Sequence, residues 1–255
     1  MKLLPTIAAM MISFAAFGQE ASEAKTSTEF KRLSLGLNIS PDYCYRSLTN
    51  NDGSEFSSRI IDVRNAIEKQ KIAYTGGINA NYSLSKSIAI ESGLQYSNKG
   101  YAISYSDLTF GDMIDPRYGY VYDTLGLTVP IATGIIYNHI YLDIPLRAII
   151  SLGERRLRYV ASIGIVTNIL LKATQTTVSE SLNGDKKRET KTQLEDFKTL
   201  NFSPMISVGL DYKVNDRLNL RAEPTFRYGL LKIIDAPVSA YLWTAGLNIS
   251  CYYRL

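Results

Sequence analysis

The sequence predicts an all-β chain, an eight-stranded antiparallel transmembrane β-barrel with short periplasmic turns and long extracellular loops. Three observations lead there. Apolar and polar residues alternate strictly over eight segments, the period of a strand with two unlike faces. The connections between those segments are alternately short and long, the asymmetry of an outer-membrane barrel with both chain ends at its short-turn side. Aromatic residues gather at the two ends of the apolar faces with aliphatics between them, as membrane interfaces select.

The first segment, "MKLLPTIAAMMISFAAFGQE", has a basic start, a short apolar run and Ala16-Phe17-Gly18 before Gln19. That is a secretory signal peptide over 1–18, cut after Gly18, with 19–30 as an N-terminal periplasmic segment and 31–255 as the barrel. No Cys follows the small residues, so no lipidated N-terminus is expected. The rest holds no second apolar run of helical spanning length, which excludes an α-helical membrane protein.

The strands follow in order. "RLSLGLNISPDYCYR" (32–46) sets Leu33, Leu35, Leu37, Ile39, Tyr43 and Tyr45 against Asn38, Ser40, Asp42 and Cys44. "KIAYTGGINANYS" (71–83) opposes Ile72, Tyr74, Ile78 and Tyr82 to Thr75, Asn79 and Asn81. "SIAIESGLQYSNKGY" (87–101) opposes Ile88, Ile90, Leu94 and Tyr96 to Glu91, Gln95, Ser97 and Lys99. The fourth strand, "NHIYLDIPLRAII" (138–150), has Ile140, Leu142, Ile144, Leu146 and Ile150 on one parity and His139, Tyr141, Asp143 and Arg147 on the other. "RLRYVASIGIVTNILLKA" (156–173) sets Leu157, Tyr159, Ile163, Ile165, Ile169 and Leu171 against Arg158, Ser162, Asn168 and Lys172. "FSPMISVGLDYK" (202–213), "RLNLRAEPTFRYGLL" (217–231) and "YLWTAGLNISCYYRL" (241–255) complete the eight, the seventh carrying Arg221, Glu223 and Arg227 on its polar face.

Short turns are expected at 83–86, 152–155 and 214–217, long loops at 47–70, 107–136 and 174–199, and a moderate one at 232–239. The aromatics Tyr43, Tyr45, Tyr74, Phe226, Tyr228, Tyr241 and Trp243 form an outer belt, and Tyr82, Tyr159, Tyr212 and Tyr253 a periplasmic one. The apolar faces therefore point outward to lipid. The polar faces point into the lumen, where Glu91, Asp143, Arg147, Arg158, Arg221, Glu223 and Arg227 are expected to pair as a structural charge network, because lone buried charges are costly. An eight-stranded barrel is just wide enough for such side chains to fill, which argues against a diffusion pore.

Composition narrows the function further. A formal charge of +4, dispersed along the chain, gives no nucleic-acid footprint. One His and two distant Cys make no metal site, and no phosphate loop, nucleophile elbow or H-E-x-x-H is present. No cofactor is expected. Cys44 and Cys251 have opposite parity and lie toward opposite barrel ends, so no disulfide is expected. His139 and Asp143 are roughly 13 Å apart along one strand, too far for a dyad; Asp112 and Asp115 are the other candidate partners. The chain is read as no enzyme.

In the loops, "EFSSRIIDVRNAIEKQ" places Phe56, Ile60, Val63 and Ile67 on one helical face, read as a short helix resting on the rim rather than a partner-binding element. "NGDKKRET" marks a tight turn, and its Thr-rich flanks suggest a hairpin extending beyond the membrane. Its basic "KKR" suits lipopolysaccharide phosphates and a plain solvated tip equally.

"ESGLQYSNKGY", "YLDIPLRA", "YVASIGIVTNILLKA" and "AGLNISCYYRL", taken in order, resemble the Bacteroidota-type outer-membrane β-barrels that include PorT-like proteins. The resemblance spans residues 31–255. It implies an eight-stranded barrel in the outer membrane of a Gram-negative cell, a monomer touching outer-membrane lipid and lipopolysaccharide. Any protein partner would bind through loops 47–70, 107–136 or 174–199. The expected role is structural or surface-binding; the alternatives are an accessory of protein secretion, as PorT is, and a rim enzyme.

Overall fold

A computed structural model describes residues 32–105, 114–115, 119–120, 130–153, 155–181, 184–192 and 197–255. The expected signal peptide and periplasmic segment lie outside them. The barrel strands are β1 (Leu33–Asn50), β3 (Lys71–Ser83), β4 (Ile88–Tyr105), β7 (Pro130–Leu152), β8 (Leu157–Ser181), β10 (Leu200–Lys213), β11 (Leu218–Tyr228) and β12 (Val238–Arg254). Each pairs antiparallel with its sequence neighbour. β1 also pairs with β12, which closes the ring. Among the described residues, five short elements sit outside it: helix α1 (Glu55–Ile67), β2 (Glu68–Lys69), the small pair β5 (Ile114–Asp115) and β6 (Gly119–Tyr120), and β9 (Lys186–Thr192).

The parity read from the sequence is the parity of the fold. Leu37, Ile39, Ile72, Ile78, Ile163, Ile206 and Val208 are each more than half exposed on the exterior. Their polar neighbours Asn38, Ser40, Asn79, Ser162 and Ser207 are buried in the lumen. A soluble protein does not carry so continuous an apolar surface. Tyr82, Tyr159, Tyr212 and Tyr253 ring the exterior beside the short turns. At the other end Tyr74 stacks on Tyr96, and Trp243 packs against both Tyr45 and Phe226.

The strand walls are of unequal height. β11 has 11 residues, about the number that crosses a membrane, whereas β7 has 23 and β8 has 25. β7 starts at Pro130, inside the segment expected to be loop, and β8 runs to Ser181, where it turns back as a hairpin with β9. The projecting hairpin anticipated from the Thr-rich flanks is thus present, although its return arm, β9, is separate from β10.

Two expectations are corrected. Lys172 does not face the lumen. Ile140 pairs with Lys172 but Tyr141 pairs with Leu170, so Leu171 is an extra residue in β8. This bulge inverts the parity above it: Leu171 and Lys172 both face outward and Ala173 turns in. The second correction concerns α1. The helix forms at the rim with Ile60 and Ile67 half-buried, but Phe56 is 74% and Val63 59% exposed, so only part of the apolar stripe is covered. The face toward the barrel instead carries Ser57 and Arg64 and leads into Glu68.

Candidate functional site

The lumen is filled in layers set by the height of each residue on its strand. Nearest the short turns lies an ionic layer. Arg147 on β7 places Nη2 2.7 Å from Glu91 Oε1 on β4 and Nη1 2.9 Å from Glu223 Oε2 on β11. Glu91 also accepts from Tyr252 Oη at 2.8 Å and Asn81 Nδ2 at 3.1 Å, while Ser207 Oγ donates to Glu223 at 2.9 Å. Arg221 stands 3.4 Å from Glu91 and 3.7 Å from Asp211, its guanidinium over the Tyr252 ring. Arg158 pairs with Asp211. Glu91 and Glu223 are 1% and 0% exposed. Charges so deep are tolerable only when paired and hydrogen-bonded, as these are.

A second polar layer follows. Arg227 faces Asp42 at 3.3 Å, and Asp42 accepts from Thr75 Oγ1 and Ser40 Oγ at 2.8 and 2.6 Å. Lys99 Nζ lies 2.9 Å from Asp143, which also accepts from Asn168 Nδ2 at 2.6 Å. The cation beside Asp143 is therefore Lys99 and not an arginine. The seven charged residues singled out from the sequence thus divide between layers. Glu91, Arg147, Arg158, Arg221 and Glu223 gather in the first, joined by Asp211, and Asp143 and Arg227 sit in the second. Asp42, Lys99 and Asp211 complete the pairs; each stood on a polar parity, but alternation along one strand does not say which strand lies opposite.

Above the ions sits an apolar plug that the sequence reading missed. Cys44, Ala73, Tyr101, Tyr141, Leu170, Ala173, Ala240 and Leu242 point inward from the strands, and Ile233 enters from the loop after β11. The signal was present as apolar residues on the inner parity of the upper strand halves, Tyr141, Leu170 and Leu242 among them. His139 is buried here, edge-on to Phe197 at 4.9 Å. Its Nδ1 meets no hydrogen-bond partner among the described residues. Asp112 lies outside the described residues. Among the described residues, the imidazole is 1% exposed.

A polar latch lies at the mouth. Arg46 Nε donates to Glu68 Oε2 at 2.5 Å and Arg46 Nη1 to Asn65 at 2.7 Å, while Arg64 Nε donates to Glu68 Oε1 at 2.6 Å. Tyr45 Oη donates to the Glu68 carbonyl at 2.9 Å. These contacts join β1 to α1 and β2 and set the roll of the helix that leaves Phe56 outward. At the helix start, Ser54 caps the Ser57 amide, and Asp52 accepts from the Ser54 amide and the Ser57 hydroxyl. The Ser54 amide holds the Asp52 carboxyl below the usual carboxylate range.

A cavity between the second layer and the plug, lined by Lys99, Tyr141, Asn168, Asn201, Ser203 and Arg227 among others, offers about 10 Å³ to water centres. That is room for about one water. Among the described residues, this arrangement holds paired charges in a lumen filled by side chains.

The model of the outer membrane protein beta-barrel domain matches residues 17–235 of the chain. Among solved structures, Neisserial surface protein A is 8% identical, with 88% of this chain and 97% of that one covered and a TM-score of 0.40. Ail, the attachment invasion locus protein of Yersinia pestis, is 9% identical over 87% of this chain and 99% of its own, with a TM-score of 0.36. The outer membrane protein AlkL is 13% identical over 93% and 98%, with a TM-score of 0.41. No curated protein matches the chain.

Proposed function

The chain belongs to the outer membrane beta-barrel domain family, and on that premise we propose that it is a closed barrel without enzymatic activity, acting as a structural or surface-binding protein through what stands above its rim. The observation that carries this reading is the filled lumen. Two ionic layers, an apolar plug and the Arg46–Glu68 latch lie one above another and leave space for about one water. A barrel of this size gains stiffness from such filling and loses conductance. The elements at the opposite end from the short turns, α1 and the β8–β9 hairpin, then face outside the cell, where function in this architecture resides. The apolar exterior is its contact with outer-membrane lipid.

Purified protein in planar bilayers tests the reading. No steady conductance steps are expected from the intact chain. Regular, reproducible channels would overturn it. A role as a PorT-like secretion accessory is the second reading, favoured by the sequence resemblance alone. A stable complex with secretion machinery on extraction in mild detergent would promote it over the first.

A further inference from the structure

Among the described residues, the upper sheet ends in a strand with one edge unpaired. β8 uses one edge for β7 up to Ser181; its other edge carries β10 as far as Ile169 and then β9 from Thr174 to Glu180. β9 is the last strand of that order, and among the described residues nothing pairs with its second edge. At the same height β11 has already stopped at Tyr228. All seven residues of β9 are exposed. The edge extends for about 23 Å and offers backbone N–H and C=O groups that no other described strand pairs with, a template for another strand.

The side chains on this edge restrict what can use it. Residues 186–192 carry four cations, Lys186, Lys187, Arg188 and Lys191, against the one carboxylate of Glu189. Two copies brought edge to edge would set these cations against each other, and like charges directly opposite destabilise a strand pair. The same residues favour a strand bearing carboxylates. Lys-rich edges are a known device against self-association, and here the device also selects by charge. The hairpin is anchored rather than loose: Thr176 and Thr190 bond at 3.1 Å across it, and Lys186 meets Glu180 at 3.1 Å. Its inner neighbours β7 and β4 continue the sheet behind it, through Ile135↔Thr177 and Ile103↔Ile135. A rigid, prealigned edge lowers the ordering cost that an incoming strand must overcome.

We propose that the free edge of β9 is a docking site for an extended acidic peptide segment of another protein, which adds to the sheet as a further strand. This rests on the surface-binding reading above and gives it a partner chemistry. Backbone hydrogen bonds supply the affinity and alternate carboxylates supply the selection.

The test uses the full chain in nanodiscs free of lipopolysaccharide. The probe is a fluorescein-labelled eight-residue peptide alternating Glu with Val, beside a twin methylated at its four central backbone nitrogens. Methylation keeps the charge and removes donors from both edges of the peptide. The unmodified peptide is expected to bind and the twin to bind about tenfold more weakly, or worse. Amide exchange over 186–192 should slow on binding. The triple variant Lys187→Glu, Arg188→Glu, Lys191→Glu should lose binding while still migrating on gels as a folded barrel. Equal binding of the twins would reduce the site to a charged patch and overturn the proposal. So would no binding of either peptide, or binding of lipopolysaccharide micelles alone. Those results leave the closed-barrel reading standing, because bilayer conductance tests that one separately.

Discussion

Arg147 and Glu91 are direct cross-strand partners on β7 and β4, with Nη2 and Oε1 2.7 Å apart in the lumen. The same guanidinium reaches across the barrel to Glu223 on β11. One side chain thus joins strands far apart in sequence and pairs with two buried carboxylates, Arg221 supplying the second positive charge beside Glu91.

Arg147→Met should therefore be strongly destabilising, by about 3–5 kcal/mol, because it takes the paired cation from Glu223 and leaves Glu91 with Arg221 alone. Adding Glu91→Gln and Glu223→Gln to that variant should recover much of the loss. Denaturant unfolding in detergent, followed by the gel shift of the folded barrel, measures both. Equal stability of wild type and Arg147→Met would show that the layer is open to water.

Gly246 on β12 stands directly opposite Asp42 on β1. A Cβ built there would sit 1.9 Å from Asp42 Oδ1 and 2.5 Å from the Pro41 carbonyl oxygen. Gly246→Ala must push Asp42 off Arg227 or part the strands, at a cost of about 1–3 kcal/mol. Gly184→Ala, in open space at the hairpin tip with φ +83°, should cost only about 1 kcal/mol, through its backbone. The same unfolding assay ranks the two, and the reverse order would contradict the packing described at Asp42.

Cys44 and Cys251 are both free, the first buried in the plug and the second on the exterior. Cys251 is the register partner of Leu37, seven residues along β1 from Cys44 and so about 23 Å lower. A lipid-soluble maleimide should label Cys251 and spare Cys44 in the folded barrel. Mass mapping under non-reducing conditions should show no link between them. Finding one would mean that the register of β1 against β12 is wrong.

Acid should loosen the start of α1. The Asp52 carboxyl titrates below its unfolded value of 3.8 because its ionised form accepts from the Ser54 amide. A lowered folded pKa stabilises fully above the unfolded value, and that contribution fades as pH falls through the folded one. Exchange-protected amides at Ser54 and Ser57 should thus hold at neutral pH and open at strongly acidic pH. Asp52→Asn should show the smaller pH response. Protection that is the same at both pH values in wild type would rule out this cap.

Alternation was enough to read the ring, because each strand has one face in lipid and one in the lumen and a single strand reports both. The failures come from events off that period. The Leu171 bulge changes parity within an otherwise regular run, so Lys172 was assigned to the wrong face. The stripe Phe56–Ile60–Val63–Ile67 has the spacing of a buried face, but the helix roll is set by Arg46 and Arg64 gripping Glu68, contacts between residues distant in sequence. Pairs such as Arg147–Glu223 and Arg227–Asp42 depend on how far neighbouring strands are staggered, which no one strand encodes.

The central claim is that the apolar parity faces lipid and the charged parity faces a closed lumen, and a spin-label scan along β7 tests it most directly. Leu142, Ile144 and Leu146 lie on the outer parity, whereas Tyr141, Asp143 and Arg147 are buried inside. Labels at 142, 144 and 146 should be relaxed by lipid-dissolved oxygen and untouched by a water-soluble nickel complex. Labels at 141, 143 and 147 should be shielded from both. In the same reconstituted protein Ile144→Arg should cost about 2–4 kcal/mol, as a charge near the bilayer midplane does. Oxygen contact at 143, or nickel contact on both parities in the middle of the strand, would contradict the account.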